Sequence, residues 1–404
     1  MNSPRFASAF SDRHDGTLAI REAVEQLVGG LDGRRPDLLV AFVTQDHRNE
    51  FEELGARLGE LTGSEVVIGC GGESVIGRVN EVERAPALSL WAAASEDLEV
   101  SPFRVSAHPT EDEGIEYSGH PGFSDADERT CGVLLLGDPF SFPTTDYLDV
   151  IAQEAPSLPV VGGMASGGTK PGESALFLGG ERYNSGAVGV RLSGGIEMTN
   201  VLSQAYRPVG EPWVITSCDG TVIRKLGGKP APKAMMQTLE GLPESDRHLL
   251  QNAPVLGVAW DATKSEFCQA DFLAHPIRGI ATQIDSLVIQ GQVRAGQTVQ
   301  FMILDPKMAG EDLSQRLSQG VPSPPAAPHD SGALLFTCNG RGSRMFAEPN
   351  HDISRLQASQ GDVPIPAAGF FAMGEIGRAG GRNHLHGFTA SAVIFSAASS
   401  NDGG

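Results

Sequence analysis

Cysteine is scarce in this sequence and shows no paired spacing. The five cysteines are an odd number and include no CxxC pair: Cys70, Cys131, Cys218, Cys268 and Cys338. A disulfide framework of the extracellular kind is therefore not expected, and neither is a zinc site built on cysteine pairs. We expect reduced thiols and a cytoplasmic location.

Long apolar runs and an excess of basic charge are also missing. No apolar stretch approaches the length that spans a bilayer, and the N-terminus has no basic region followed by an apolar core. The 50 acidic residues outnumber the 30 basic ones, which gives a formal net charge of -20. Such a field repels phosphate backbones and anionic lipids, so we expect no nucleic-acid partner and no membrane insertion.

Several motifs of catalysis and nucleotide binding do not occur. There is no GxxxxGK[ST], no GxGxxG that opens a helix, no GxSxG and no HExxH. These absences give little support to the familiar hydrolase and dehydrogenase chemistries. They favour a binding protein, and they leave open an enzyme that uses a cysteine nucleophile.

What the chain does contain is a recurring order of elements. A buried strand over Asp37–Thr44 precedes a helix over His47–Leu61 and a glycine-rich turn in VVIGCGG. The same order recurs from CGVLLLGDPF to LPVVGGMASGG, and again from ALLFTCNGRG to GFFAMGEIG. We predict an α/β fold of mixed α+β sheets, with two related halves, internal strand–helix–strand repeats and helices on the outer faces.

Composition and turn signals suggest four segments. Residues 1–36 form an N-terminal segment with a helix over Gly16–Leu31, and residues 397–404 form a flexible tail. Between them we predict one domain over 37–207 and a second over 208–396.

The glycine-rich turns are the first candidates for ligand binding. Gly71 and Gly163 lie where predicted strands end in glycines. Such ends can leave backbone N–H groups free to bind a carboxylate, a phosphate or a carbonyl oxygen. In α/β sheets these turns commonly line ligand crevices. The alternative is that the glycines only satisfy turn geometry.

The segment FTCNGRG contributes Cys338, Gly340, Arg341 and Gly342 just after a buried strand. Arg341 could bind a ligand carboxylate through two hydrogen bonds, and Cys338 could be a reactive thiol if its pKa is lowered. The alternatives are an internal ion pair for the arginine and a buried structural role for the cysteine.

The segment GFFAMGEIG places Gly374 and Glu375 at an apolar strand end. A carboxylate in that setting needs a partner. Arg341 is the first candidate for that partner, and a ligand amine is the second. With both contacts, Arg341 and Glu375 would form a pair suited to a zwitterion such as an amino acid.

Two histidines, His384 and His386, lie on one face if their segment is extended. Paired histidines can bind a metal or haem iron. No third ligand stands at a matching spacing, so we predict no metal site and leave haem open as a cofactor.

Together, VVIGCGGES, LPVVGGMASGG, FTCNGRG, GFFAMGEIG and LHGFTAS resemble the FIST family, with a FIST N-like domain followed by a FIST C-like domain. The resemblance implies a sensory role in signal transduction, with amino acids or similar small polar metabolites as ligands. For some members it implies haem-based gas sensing. The chain looks like a stand-alone bacterial form, which would pass its signal to a separate protein. The family's prominent C-terminal positions fall on Cys338, Gly340, Arg341, Gly342, Gly369, Phe370, Gly374, Glu375 and Gly377.

Overall fold

Strands from distant parts of the chain pair in common sheets, and this pairing decides how the chain divides. The computed structural model describes residues 3–112, 114–261, 264, 267–321 and 325–398. Unit 1 comprises the described residues up to Ser203 and from Leu313 onward, and unit 2 is Gln204–Asp312. The mixed α/β class is confirmed. The compact units do not follow the predicted division after residue 207, because C-terminal strands share sheets with N-terminal ones.

Helices and strands follow one another along the described chain. The helices are α1 (Gly16–Gly30), α2 (Phe51–Thr62), α3 (Thr144–Glu154), α4 (Ala231–Gly241), α5 (Glu244–Asn252), α6 (Pro306–Gly320) and α7 (His351–Ser359). The first strands are β1 (Arg5–Ser11), β2 (Leu38–Thr44), β3 (Val67–Gly72), β4 (Ser74–Gly77), β5 (Asn80–Glu83), β6 (Leu88–Ala94), β7 (Glu99–Pro109), β8 (Ile115–Ser118), β9 (Thr130–Gly137), β10 (Val160–Met164), β11 (Leu176–Leu178), β12 (Glu181–Tyr183) and β13 (Ala187–Ser193). The later strands are β14 (Ile196–Gln204), β15 (Tyr206–Asp219), β16 (Val222–Leu226), β17 (Lys229–Pro230), β18 (Val255–Ala259), β19 (Phe272–Ala281), β20 (Ser286–Ile289), β21 (Thr298–Leu304), β22 (Ser331–Cys338), β23 (Ala367–Ala372), β24 (Glu375–Ala379), β25 (Arg382–His386) and β26 (Thr389–Ala397).

Most of the predicted elements exist with shifted ends. Helix α1 begins where it was predicted, because the Asp15 side chain accepts a hydrogen bond from the Leu18 N–H at 2.9 Å. Helix α2 begins at Phe51, four residues later than predicted, because residues 45–50 form a 3₁₀ turn. The N-terminal segment also contains strand β1, which the prediction missed. None of the helices in the described chain is long and apolar enough to cross a membrane.

Unit 1 repeats one order of elements three times within its described residues. A strand, a helix and a second, parallel strand form β2–α2–β3 in repeat 1, β9–α3–β10 in repeat 2 and β22–α7–β23 in repeat 3. The first strand of each repeat also pairs with an antiparallel strand, which is β6, β13 or β26. The outer neighbours of those strands are β1, β7 and β14. The threefold recurrence predicted from the sequence is confirmed.

Each repeat donates its next hairpin to the sheet of another repeat. Hairpin β4–β5 follows repeat 1 and pairs with β23 of repeat 3. Hairpin β11–β12 follows repeat 2 and pairs with β3 of repeat 1. Hairpin β24–β25 follows repeat 3 and pairs with β10 of repeat 2. The three sheets are therefore linked in a closed cycle, and each needs a strand from another repeat.

The inner faces of the three sheets pack on a common apolar core. Phe42 of repeat 1 stacks on Phe370 of repeat 3, with ring centroids 5.0 Å apart, and Phe336 packs edge-on against both rings. The outer faces are covered by α1 and α2 on repeat 1, by α3 on repeat 2, and by α6 and α7 on repeat 3. The predicted placement of helices on outer faces is confirmed.

One glycine in each repeat permits a close approach between the two parallel strands. A Cβ atom on this glycine would overlap a carbonyl oxygen of the neighbouring strand, so a side chain cannot fit there. The pairs, with the distance from the added Cβ to the oxygen, are Gly69 with Ala41 (2.1 Å), Gly162 with Leu135 (2.0 Å) and Gly369 with Leu335 (1.9 Å).

Unit 2 has a different architecture. Its strands β15, β21, β18, β19, β20 and β16 pair antiparallel in that order. The C-terminal part of β15 then pairs with β16, which closes the sheet into a ring. Helices α4 and α5 pack against the apolar core of this unit through residues such as Met235, Leu239 and Leu250.

We predict that Gly369→Ala destabilises the protein by about 2 kcal/mol or more, because the new methyl group would overlap the Leu335 carbonyl oxygen. Thermal unfolding should show the loss as a drop of several degrees in Tm. Gly29→Ala is the matched control, because its Cβ would meet nothing within 4 Å in helix α1. A small and equal effect of both changes would contradict the close approach.

Candidate functional site

Glu375 occupies a position that the other two repeats fill with apolar side chains. The exchanged strands β4, β11 and β24 pair with the second parallel strand of their host sheets in equivalent register. The equivalent pairs are Val75 with Phe370, Leu176 with Cys70, and Glu375 with Gly163. Val75 and Leu176 are buried in the common core. A carboxyl group therefore replaces an aliphatic side chain in one repeat.

The Glu375 side chain is completely buried and only half satisfied. Its Oε2 atom accepts hydrogen bonds from the Thr389 N–H at 3.1 Å and the Thr389 hydroxyl at 2.7 Å. Its Oε1 atom has no partner of hydrogen-bond geometry among the described residues. Burial raises the pKa of Glu375 to about 8, although Thr389 and the neighbouring Cys338 thiol partly offset the effect. At neutral pH this side chain is therefore mainly a neutral acid.

Cys338 lies beside this carboxyl group, at the end of β22. Burial, reinforced by Glu375, raises the pKa of the Cys338 thiol to about 12. The Gly340 N–H donates to its sulfur at 3.4 Å, which does not compensate. A thiolate nucleophile is strongly disfavoured in this environment. The geometry thus supports the structural alternative for Cys338 over the catalytic one.

Arg341 does not pair with Glu375, which corrects the first candidate partner inferred from the sequence. Its completely buried guanidinium donates to Asp352, from Nε to Oδ2 at 2.7 Å and from Nη2 to Oδ1 at 2.8 Å. Asp352 lies in the first turn of α7 in the same repeat, and each of its two carboxylate oxygens accepts one hydrogen bond from the guanidinium. The internal ion pair, given above as the alternative for Arg341, is therefore present.

Asp352 is the centre of a buried polar network that the sequence analysis missed. It also accepts hydrogen bonds from the Thr337 hydroxyl and from His351 Nδ1, the latter at 2.7 Å. Burial alone would raise the pKa of Asp352, but Arg341 and His351 hold it well below its ordinary value. Asp352 follows Arg341 by eleven positions in the sequence and lies in the first turn of the observed helix α7, and the sequence analysis did not single it out.

The exchanged hairpin of repeat 1 holds this loop of repeat 3 in place. Glu81 Oε1 accepts from the backbone N–H groups of Asp352 and Ile353 at 2.8 and 2.9 Å. Burial and the nearby Asp352 raise the pKa of Glu81 to about 7. Glu83 accepts from the Ser343 N–H at 2.7 Å. The site in repeat 3 is therefore built partly by repeat 1.

Phe388 closes the cluster in a strained conformation. Its φ is 57°, a left-handed value that bulky residues rarely adopt. Its ring packs on Gly340, where a Cβ would lie 2.4 Å from the ring, and its carbonyl oxygen is 3.5 Å from Arg341 Nη1. Strain of this kind often marks sites that bind or switch. We call Cys338, Arg341, Glu375, Phe388 and Thr389 the Glu375 cluster.

The predicted glycines have structural explanations. Gly71 donates its N–H to the Ala175 carbonyl, and its own carbonyl accepts from Ser166 and Gly167. Gly163 pairs with Glu375 in the sheet. Gly342 and Gly374 have φ values of 58° and 147°, which a side chain would strain. Turn geometry and close packing therefore account for these four glycines, and ligand binding through them stays a prediction.

The two candidate histidines lie close together on β25. Their ring centroids are 5.9 Å apart, and His386 Nε2 is 3.2 Å from the Gly377 carbonyl oxygen. Within the described ranges, no group of three or more His, Cys, Asp or Glu side chains is arranged to hold a metal ion. Haem binding by His384 or His386 stays a prediction.

Comparison with known proteins gives matches over nearly the whole chain. The profile of the FIST N domain matches residues 37–229, and that of the FIST C domain matches residues 233–378. An uncharacterized protein of Mycobacterium tuberculosis is 35% identical over 386 residues, which is 95% of this chain and 96% of that protein. An uncharacterized protein of Mycobacterium bovis is 34% identical over 386 residues, or 94% and 96% of the two chains.

We predict that Glu375→Gln flattens the dependence of stability on pH. The folded-state pKa of Glu375 is raised, so the wild-type protein loses stability as pH rises from about 4.5 to about 8. The neutral amide cannot ionise, so the variant should be the more stable of the two at pH 9. Urea unfolding of both proteins at several pH values measures the difference. Parallel curves would show that folding does not shift the pKa of Glu375.

We predict that Cys338 reacts with iodoacetamide at least about tenfold more slowly than Cys268, because its thiolate form is disfavoured. Cys268 is exposed and serves as the internal control in the same chain. Mass spectrometry of peptides after timed alkylation measures both rates. Faster alkylation of Cys338 than of Cys268 would support the alternative hypothesis that the protein is a cysteine-dependent enzyme.

Proposed function

The chain belongs to the FIST family, whose domains are sensory domains of signal transduction, and on this basis we propose that it binds a small polar metabolite without transforming it. The proposed ligand is an amino acid or a similar compound. The proposed site is the Glu375 cluster, and the proposed output is an interaction with a separate signalling protein in the cytoplasm.

The observation that carries this proposal is a completely buried acid with one oxygen that lacks a partner of hydrogen-bond geometry. Glu375 Oε1 has no partner of hydrogen-bond geometry among the described residues, although Oε2 has two. Buried polar atoms are satisfied in most native structures, and exceptions concentrate at functional sites. Repeats 1 and 2 keep Val75 and Leu176 at the equivalent position, so the fold itself does not require an acid there.

The cluster offers complementary groups to a zwitterion. A ligand ammonium group would bind Glu375 and favour its ionised form, because an adjacent positive charge lowers a carboxyl pKa. A ligand carboxylate could reach Arg341 Nη1, whose contact with the Phe388 carbonyl is long at 3.5 Å. That approach requires Phe388 to move. Release of its strained backbone would favour the movement and would connect ligand binding to a change at the surface.

Binding without catalysis is favoured by the state of the cysteine. The pKa of Cys338 is raised to about 12, so the cluster lacks an activated nucleophile. Arg341 is already neutralised by Asp352, which suits a structural role and a secondary contact with ligand. A sensory protein needs differential affinity between two conformations, and a movable Phe388 provides two candidates for them.

We predict that a thermal-shift screen with amino acids, small carboxylates, nucleotides and haemin identifies an amino-acid-like ligand. A ligand at a hundredfold excess over its Kd adds roughly 2.7 kcal/mol of stability. Glu375→Val is the matched variant, because it restores the residue type of the equivalent Val75. This variant should fold and lose the ligand response. An equal thermal shift in Glu375→Val would show that the ligand does not bind at the Glu375 cluster. A thermal shift with haemin alone would favour the gas-sensor alternative.

Release of the Glu375 proton on binding would distinguish a ligand amine paired with Glu375 from other binding modes. Because Glu375 is mainly protonated at pH 7, an ammonium ligand should displace a proton, and its affinity should rise as pH approaches about 8. Calorimetry in two buffers of different ionisation enthalpy measures the proton count. A count of zero would contradict direct pairing of the ligand amine with Glu375.

A further inference from the structure

A groove of about 520 Å³ lies in repeat 1, at the carboxyl ends of its parallel strands. Gln45, Arg48 and Asn49 line it from the 3₁₀ turn that follows β2. In α/β sheets, ligands bind in crevices outside the carboxyl ends of the strands, and small-molecule pockets have volumes of about 300–1,000 Å³. Position and size therefore fit a small-molecule site.

The opposite wall comes from another repeat. Gly167, Glu173 and Arg182 line the groove from the segment that leaves β10 of repeat 2 and forms hairpin β11–β12. This segment is fixed by backbone hydrogen bonds from Ser166 and Gly167 to the Gly71 carbonyl. The groove is thus a built feature of the hairpin exchange, with walls from two repeats.

Arg48 contributes a positive charge to this groove. Arg48 is exposed to solvent, and its guanidinium has no ion pair and no hydrogen bond within the described chain, although the protein carries 50 acidic residues against 30 basic ones. Two carboxylates close to Arg48 in the sequence are engaged with other arginines, since Glu50 pairs with Arg57 at 2.5 Å and Glu52 pairs with Arg182. An arginine without a partner in an acidic protein is available to an anionic ligand.

Further hydrogen-bond donors share the same lining. Arg182 Nε is buried and has no hydrogen-bond partner among the described residues. The Asn49 amide makes no hydrogen bond there, and the Gln45 amide has only a long contact of 3.4 Å with the Glu173 carbonyl oxygen. These groups donate to oxygen, so the lining is suited to an oxyanion.

The other repeats lack this arrangement. The register of the parallel strands makes Thr44, Asp138 and Cys338 equivalent, and the residue four positions later is Arg48, Phe142 or Gly342. The nearest cation in repeat 3, Arg341, is neutralised by Asp352. At this position, a cation without a partner among the described residues therefore occurs in repeat 1 and not in repeats 2 and 3, and the fold does not require it.

We propose that this Arg48 groove is a binding site for a small monocarboxylate. The planar guanidinium accepts a carboxylate through two parallel hydrogen bonds, and the amides of Gln45 and Asn49 can donate to the same oxygens. Glu173 adds a negative charge to the lining, which disfavours a dianion such as phosphate. The site is separate from the Glu375 cluster and does not depend on the function proposed for that cluster.

The test is calorimetric titration of the full chain with sodium acetate, lactate and butyrate at constant ionic strength. Inorganic phosphate and chloride are the comparison anions. We expect saturable binding of at least one monocarboxylate and at least about tenfold weaker binding by Arg48→Ala. Arg21→Ala is the matched control, because Arg21 is an exposed arginine on α1 outside the groove. It should bind as the wild type does.

Each other outcome overturns the proposal. Equal heats with chloride would mean general charge screening, and tighter binding of phosphate would overturn the ligand class. Loss of carboxylate binding in Glu375→Val with retention in Arg48→Ala would place the ligand in the Glu375 cluster. An unchanged Kd in Arg48→Ala would exclude the groove. Arg48→Lys keeps the positive charge but lacks the planar guanidinium group. If the carboxylate accepts two parallel hydrogen bonds from Arg48, this variant should bind the monocarboxylate more weakly than the wild type.

Discussion

The contact between a glycine and the carbonyl oxygen of the neighbouring parallel strand recurs in all three repeats of unit 1. At Gly69, Gly162 and Gly369 a Cβ would lie about 2 Å from that oxygen. Through this approach the second parallel strand of each repeat lies close to the first. The hairpin that follows the second strand then pairs in the sheet of another repeat. A side chain at any of these positions would force the two parallel strands apart, and the second of those strands is also the one with which the exchanged hairpin pairs.

Departures from the threefold order are the most informative features of the structure. The repeats share their pairing and their glycines, so a residue type found in one repeat alone is not required by the fold. Glu375 stands where Val75 and Leu176 are buried, and Arg48 stands where Phe142 and Gly342 are found. Each departure introduces a polar or charged group with free hydrogen-bonding capacity. Burial of the Glu375 carboxyl group is costly, so a function is the simplest reason to retain it.

The polar network around Asp352 explains how a change at the cluster would reach another repeat. Arg341 and Asp352 form a buried ion pair, and Glu81 from the exchanged hairpin binds the backbone N–H of Asp352. Removal of one partner from such a pair leaves a buried charge without compensation, which is strongly destabilising. A displacement of the loop that holds Arg341 would therefore either carry the hairpin of repeat 1 with it or break the network. Either event is a discrete change of the kind that a sensory protein requires.

The class of the fold, the threefold recurrence, the main helices and the motifs around Cys338 and Glu375 could all be predicted from the order of amino acids. These features depend on local periodicity, on turn residues and on short sequence motifs, all of which can be read without knowing which strands pair. Three features emerged with the folded chain: Arg341 pairs with Asp352, Glu375 Oε1 lacks a partner of hydrogen-bond geometry, and residues from repeats 1 and 2 meet around Arg48. Those facts depend on which strands pair across the chain, and hairpin exchange between repeats leaves no local signal in the sequence.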